Sequence, residues 1–179
     1  MALGFSAMTR VFEGDSSDTI KERLENILFK IASLNNEQDF QKEHDSFCEW
    51  FMNNVKTAER KKDGLVIKQS ALTSYGQGAK VLDVVLKVLI YYCHHPDLRT
   101  AERTTKWLNA AIDTRMLKYL KNMPDQEASL IHATTIEGVD KETYSILQML
   151  VRRDISRSFS GHILPVQWDD IMWRKLNKA

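Results

Sequence analysis

The sequence predicts an all-α fold: a single domain in which six or seven helices pack around a central apolar helix over about residues 74–95. Three observations carry that expectation. The run Ser74-Tyr-Gly-Gln-Gly-Ala-Lys-Val-Leu-Asp-Val-Val-Leu-Lys-Val-Leu-Ile-Tyr-Tyr-Cys-His-His95 is apolar on nearly every side of a helix, and such a helix must be surrounded by others. Only 7 Gly and 3 Pro occur in 179 residues, too few for a turn-rich sandwich or barrel. Most of the remaining chain repeats its apolar residues at steps of three and four.

The domain is expected to cover residues 1–179, with 1–14 as a loosely attached entry segment. Ser16 or Ser17 caps the first helix, and Asp15 and Asp18 suit its positive end. Its stripe is Ile20, Leu24, Ile27, Leu28, Ile31 and Leu34. A second helix from Glu37 carries Phe40, His44, Phe47, Cys48, Phe51, Val55 and Ala58, and closes at Gly64. Leu65-Val66-Ile67 reads as a short apolar connector or a brief strand; with no second strand in view, no sheet is expected.

The central helix is stopped by Pro96. Lys80, Asp83 and Lys87 form one thin polar stripe on it, with Asp83 and Lys87 spaced to pair. Thr100 is read as the next cap, and Asp113 as the start of a short helix with Met116, Leu117 and Leu120. Asn122–Ser129 reads as loop. Asp140 caps a helix bearing Tyr144, Leu147 and Leu150. Ser158–Leu164 is read as loop, and a last helix starts near Pro165.

Composition narrows the function classes. The formal charge is +1, so no global field attracts nucleic acid. The distribution is uneven: residues 15–49 carry nine acids and four bases, residues 56–121 thirteen bases and six acids. A surface split in this way suits pairing with a protein partner or with a second copy as a homodimer. Cys48 and Cys93 lie in apolar runs, which suggests buried thiols in a reducing compartment rather than a disulfide framework. With no signal peptide and no membrane span, the expected location is cytoplasmic, without contact to a membrane.

Candidate chemistry is sparse, and no cofactor or metal site is expected. His44 and Cys48 share a helix face, as a metal pair or a thiol beside a base would. A hydrogen-bonded core histidine beside an inert thiol accounts for the same spacing. Arg157-Ser-Phe-Ser-Gly-His162 fits the Arg-x(4–6)-His spacing of HEPN ribonucleases, small helical domains whose Arg binds phosphate and whose His helps activate the ribose hydroxyl. Gly161 and the loop around it suit that helical motif poorly. Tyr75-Gly-Gln-Gly78 with Lys80 opens a helix as a phosphate cradle would, without the preceding strand or the Gly-Lys-Ser/Thr ending. The packing alternative is close helix contact over Gly76, Gly78 and Ala79. Trp50, Trp107 and Trp168 suit core anchoring better than base stacking. Asp169 and Asp170 are adjacent and should diverge on a helix.

Phe40-x-x-x-His44 with Cys48, the Tyr75–Lys80 opening, Ile112-Asp113, Tyr144 and the closing Trp173 segment resemble a diffuse family of uncharacterised bacterial proteins. Members often show Tyr-Gly-Gln-Ala-Gln-Lys at this point and a His-x-Pro-Ile-Asp turn later. Here Gly78-Ala79 and Asn109-Ala110-Ala111 replace parts of those motifs, and the resemblance covers about residues 40–176. It implies a bacterial or phage-related cytosolic protein with a polar site at His44, Tyr75, Gln77, Lys80 and Asp113. The expected function is a structural or protein-interaction module rather than an enzyme. The alternative is a HEPN-like ribonuclease acting through Arg157 and His162.

Overall fold

The structure is a computed structural model that describes residues 11–14 and 16–177. It is all-α, with seven α-helices and one two-stranded sheet among the described residues. Residues 1–10 of the expected entry segment, and Asp15, lie outside the described residues. Phe12 belongs to the core at 6% exposure and bridges to Thr57, so the end of that segment is attached rather than loose.

Helix α1 (Ser16–Ile31) buries Ile20, Leu24, Ile27 and Ile31, the stripe that its periodicity gives. Helix α2 (Glu37–Asn54) starts where Asn36 accepts the Asp39 N–H and buries Phe40, His44, Phe47, Cys48 and Phe51. It ends ten residues before Gly64, and the sequence reading fails here. Asp63 (φ 51°) and Gly64 (φ 80°) instead close a hairpin between β1 (Arg60–Lys62) and β2 (Leu65–Lys68). An Asp-Gly pair suits a two-residue turn with positive φ at both positions, and this local preference overrides continuation of the helix.

Helix α3 (Tyr75–Leu86) lies at the centre and makes its most extensive contact with α2. Ser74 and Gln77 form a reciprocal capping box at its start. Gly76 and Gly78 permit close packing. A Cβ on Gly76 would stand 2.5 Å from Val139 Cβ, and one on Gly78 2.9 Å from Phe51 Cβ. The helix runs on as a π-helical turn over Lys87–Tyr92 before leaving through His94 (φ 53°) and a cis His95–Pro96 peptide.

Helix α4 (Leu98–Thr105) is capped by Asp97, not by Thr100. The Asp97 carboxylate accepts both the backbone N–H and the hydroxyl of buried Thr100. Helix α5 (Thr114–Lys121) is capped by Asp113, as expected. The following loop contains 3₁₀ turns at Gln126–Leu130 and Ile136–Gly138. Helix α6 (Lys141–Phe159) is capped by Asp140, outlasts the expected Arg157 end by two residues, and closes through left-handed Ser160 and Gly161. Helix α7 (Pro165–Asn177) buries Trp168 completely, with its indole N–H donating to Asp154 at 2.7 Å. No helix among the described residues is long and apolar enough to cross a membrane.

Candidate functional site

The polar side chains of α3 enter two different settings. Asp83 points into the core between α2 and α6, where its side chain is 1% exposed. One carboxylate oxygen lies 2.9 Å from His44 Nε2, and the other accepts the Tyr144 hydroxyl at 2.7 Å. With Nε2–H donating to the carboxylate, His44 Nδ1 faces Cys48 Sγ at 3.7 Å. The rings of His44 and Tyr144 stack with centroids 5.5 Å apart. Tyr75 extends the cluster toward the surface, its hydroxyl donating to Asp45 at 2.7 Å.

Cys48, His44 and Asp83 thus stand in the order of a thiol, a base and an orienting acid. Burial decides against nucleophilic use. Cys48 is 0% exposed, His44 and Asp83 are each 2% exposed, and burial pushes the thiol pKa up, so sulfur stays protonated. Burial alone would lower the His44 pKa. The Asp83 carboxylate bonded to Nε2 opposes that cost, and the imidazole pKa is held well above its usual 6.5. Burial also raises the Tyr144 and Tyr75 phenols. The cluster is a sealed, internally bonded group that ties α2, α3 and α6 together.

The neighbouring part of the same polar stripe, Lys80 on α3 and Lys87 in the turn that follows it, faces an open cleft of about 220 Å³ between α5 and α7. Its floor is Lys87, whose ammonium donates to Asp169 at 2.7 and 2.9 Å and to Asp170 at 3.1 Å. Asp169 also accepts the Ala111 N–H at 3.0 Å, and Asp170 accepts the Tyr92 hydroxyl. Burial pushes the Asp169 pKa up against the pull of Lys87, and the bond to Asp170 raises Tyr92 to about 12. Lys80, Asp113 and Trp173 form the rim. Lys80 makes no hydrogen bond or ion pair among the described residues, and Trp173 is 55% exposed.

Two sequence expectations are corrected here. Asp83 and Lys87 do not pair with each other but serve different sites. Asp169 and Asp170, expected to diverge, both bond Lys87. The π-helical turn accounts for the additional reach of Tyr92. At 3.6 residues per turn, positions i and i+5 stand about 140° apart. The wider turn brings them nearer to line, so Lys87 and Tyr92 share Asp170. No sequence pattern announces such a turn, which is why this cluster stayed hidden.

The five polar candidates therefore separate. His44 joins the sealed cluster, and Tyr75 adjoins it. Gln77 is 7% exposed and accepts the Ser74 N–H at 2.9 Å as part of the cap. Lys80 and Asp113 come together at the cleft.

Arg157 donates to Asp125 at 2.5 and 2.8 Å, beside Arg153, which donates to Glu127 at 2.5 and 2.6 Å. The groove along α6, about 470 Å³, includes Arg152, Arg153 and Arg157 but not His162. His162 is exposed beyond the end of α6, and no hydrogen bond joins it to Arg157. No group of three His, Cys, Asp or Glu side chains suited to a metal occurs among the described residues. Cys93, expected to be buried, is exposed because it falls at the end of the π-helical turn.

Trp107 and Trp168 are core residues, and Trp50 is half-buried with the Arg23 guanidinium 5.6 Å above its ring. The chain matches no protein-family model, no curated protein and no solved structure.

Proposed function

We propose that the protein is a non-enzymatic interaction module of the bacterial cytoplasm, which recognises a protein partner or a second copy of itself. One observation supports this reading above the others: the ionisable groups are divided between internal bonding and an open rim. His44, Asp83 and Tyr144 are bonded to one another under cover, and Asp169 and Asp170 are held by Lys87. What remains open at the cleft is a cation, a helix-capping carboxylate and an indole ring. That set can hold a protruding side chain or chain end by charge and stacking, but it lacks an activated nucleophile.

The ribonuclease alternative needs Arg157 free for phosphate and His162 beside it. The engagement of Arg157 with Asp125 argues against that arrangement.

The reading is tested with a photo-crosslinking side chain in place of Trp173, in living cells, together with sedimentation of the purified protein. A discrete heterologous adduct or a dimer is expected, and it should disappear when Lys80→Glu is added. RNA cleavage by the purified protein that is lost in an Arg157→Ala, His162→Ala double variant would overturn the reading. So would the absence of any adduct and of any dimer.

A further inference from the structure

We propose that the outer edge of β2 is a docking strand for an extended acidic and apolar segment of a partner protein, which joins the hairpin as a third strand. This rests on the interaction reading and adds the chemistry of the partner.

Among the described residues, the hairpin exposes apolar side chains. Leu65, Val66 and Ile67 are 73%, 47% and 61% exposed. Successive strand residues point to opposite faces, so both faces of β2 are apolar and open. Leu72, beyond the strand and bridged to Lys56, is 58% exposed. Contiguous exposed apolar residues mark contact surfaces more often than isolated ones do.

The edge itself is unpaired. β1 occupies one side of β2, and apart from the β1–β2 ladder no backbone hydrogen bond reaches residues 65–70 among the described residues. Strand edges are normally guarded by charged side chains, Lys above all. Here the guards are unequally placed. β1 reads Arg60-Lys61-Lys62, whereas β2 presents Leu65-Val66-Ile67 before reaching Lys68. The protected edge is that of β1, and the apolar edge of β2 is left available.

The base of the hairpin is held firmly. Thr57 N–H donates to Ala71 at 2.8 Å, Thr73 N–H donates to Val55 at 3.0 Å, and Lys68 pairs with Glu137 at 2.6 Å. An edge fixed in advance lowers the ordering cost of adding a strand.

Charge selects the occupant. Residues 56–68 hold five bases (Lys56, Arg60, Lys61, Lys62, Lys68) and two acids (Glu59, Asp63), a balance of +3. Lys61 pairs with Glu59 and Lys68 with Glu137, while Lys56, Arg60 and Lys62 have no ion-pair partner among the described residues. Two such hairpins set edge to edge would repel, which disfavours a second copy. A strand alternating acidic and apolar residues pairs with the edge, lays its apolar side chains on the face of Leu65 and Ile67, and sets its acids on the other face within the positive field of residues 56–68.

The test uses the full-length protein and a fluorescent peptide alternating glutamate and isoleucine, followed by anisotropy at low and high salt. Saturable binding that weakens with salt is expected. Ile67→Glu should weaken it at least about tenfold, the equivalent of about 1.4 kcal/mol. Alternate N-methylation of the peptide backbone should abolish it, because strand addition depends on main-chain hydrogen bonds. No binding, equal binding of a lysine–isoleucine peptide, or full binding by the N-methylated peptide overturns the proposal. Anionic vesicle binding or dimerisation that Ile67→Glu removes, without peptide binding, also overturns it by assigning the patch to another occupant. The crosslink from position 173 is read in the same Ile67→Glu variant. If it persists there while the peptide fails to bind the parent protein, the hairpin proposal alone falls; if it is absent from the parent protein as well, the interaction reading falls too.

Discussion

Asp83 and Lys87 stand four residues apart on one helix, yet they reach opposite chemical settings. Asp83 lies in a dry cluster with His44 and Tyr144, where each of its oxygens accepts a hydrogen bond. Lys87 forms the floor of an open cleft, where two carboxylates share its ammonium. The first arrangement holds three helices in register. The second shares one ammonium between two acids and leaves a different cation, Lys80, at the rim. A polar stripe on a central helix is thus no single surface. The neighbours on each side decide whether its members act as internal ties or as contacts.

The largest expected effect comes from breaking the dry side. Asp83→Ala leaves His44 and Tyr144 as buried donors without their acceptor. Removing one member of a buried pair costs about 3–5 kcal/mol. Denaturant unfolding of Asp83→Ala against the parent chain measures that cost. A loss below about 1 kcal/mol would mean that water replaces the carboxylate, and the two sides of α3 would no longer differ as argued.

A smaller loss isolates one bond of the same cluster. Tyr144→Phe keeps the ring that stacks on His44 and removes only the hydroxyl that donates to Asp83. A hydrogen bond to a charged group contributes about 1.5–3 kcal/mol, and thermal or denaturant unfolding reads the difference. If Tyr144→Phe costs as much as Asp83→Ala, the cluster acts as one cooperative unit rather than as separate bonds.

The sequence made the helices legible because their signals are local. Apolar steps of three and four placed α1, α6 and α7, and single capping residues such as Asp113 and Asp140 fixed two starts. The failures also have local causes. Asp63-Gly64 satisfies both a helix stop and a hairpin turn, and only the pairing of Arg60–Lys62 with Leu65–Lys68 distinguishes them. Lys80 and Asp113 were visible as polar residues at helix beginnings. Their meeting at one cleft was not, because it depends on how α5 and α7 pack on α3. The convergence of Lys87 and Tyr92 on Asp170 depends on a π-helical turn that leaves no pattern in the residues. The His44–Cys48 spacing was visible, but its acid partner lies 39 positions away on another helix.

The pH dependence of stability separates the two regions without changing their packing as much. The folded-state pKa of His44 is held above 6.5 despite burial, with the Asp83 carboxylate bonded to its ring. The folded chain therefore binds more protons than the unfolded chain between 6.5 and that raised value. The stability contributed by His44 is fully present below pH 6.5 and falls as pH rises through the folded pKa. Its slope is at most about 1.4 kcal/mol per pH unit. Urea midpoints measured from pH 6 to pH 9 should fall for the parent chain and stay flatter for His44→Gln. An equal decline in both would place the linked proton outside the dry cluster.

The smallest expected stability effect is at the rim of the cleft. Lys80 is part-exposed and bonded to nothing among the described residues, so Lys80→Ala removes no internal contact beyond its stem. Such a surface change normally stays within about 0.5 kcal/mol. The contrast with Asp83, three residues later on the same helix, is the sharpest form of the comparison. An Asp83→Ala chain that fails to bind its partner has lost its scaffold. A Lys80→Ala chain that melts with the parent but fails to crosslink from position 173 has lost only a contact. If Lys80→Ala instead destabilises the fold by several kcal/mol, Lys80 is an internal tie like Asp83, and the cleft is a seam of the fold rather than a surface for recognition.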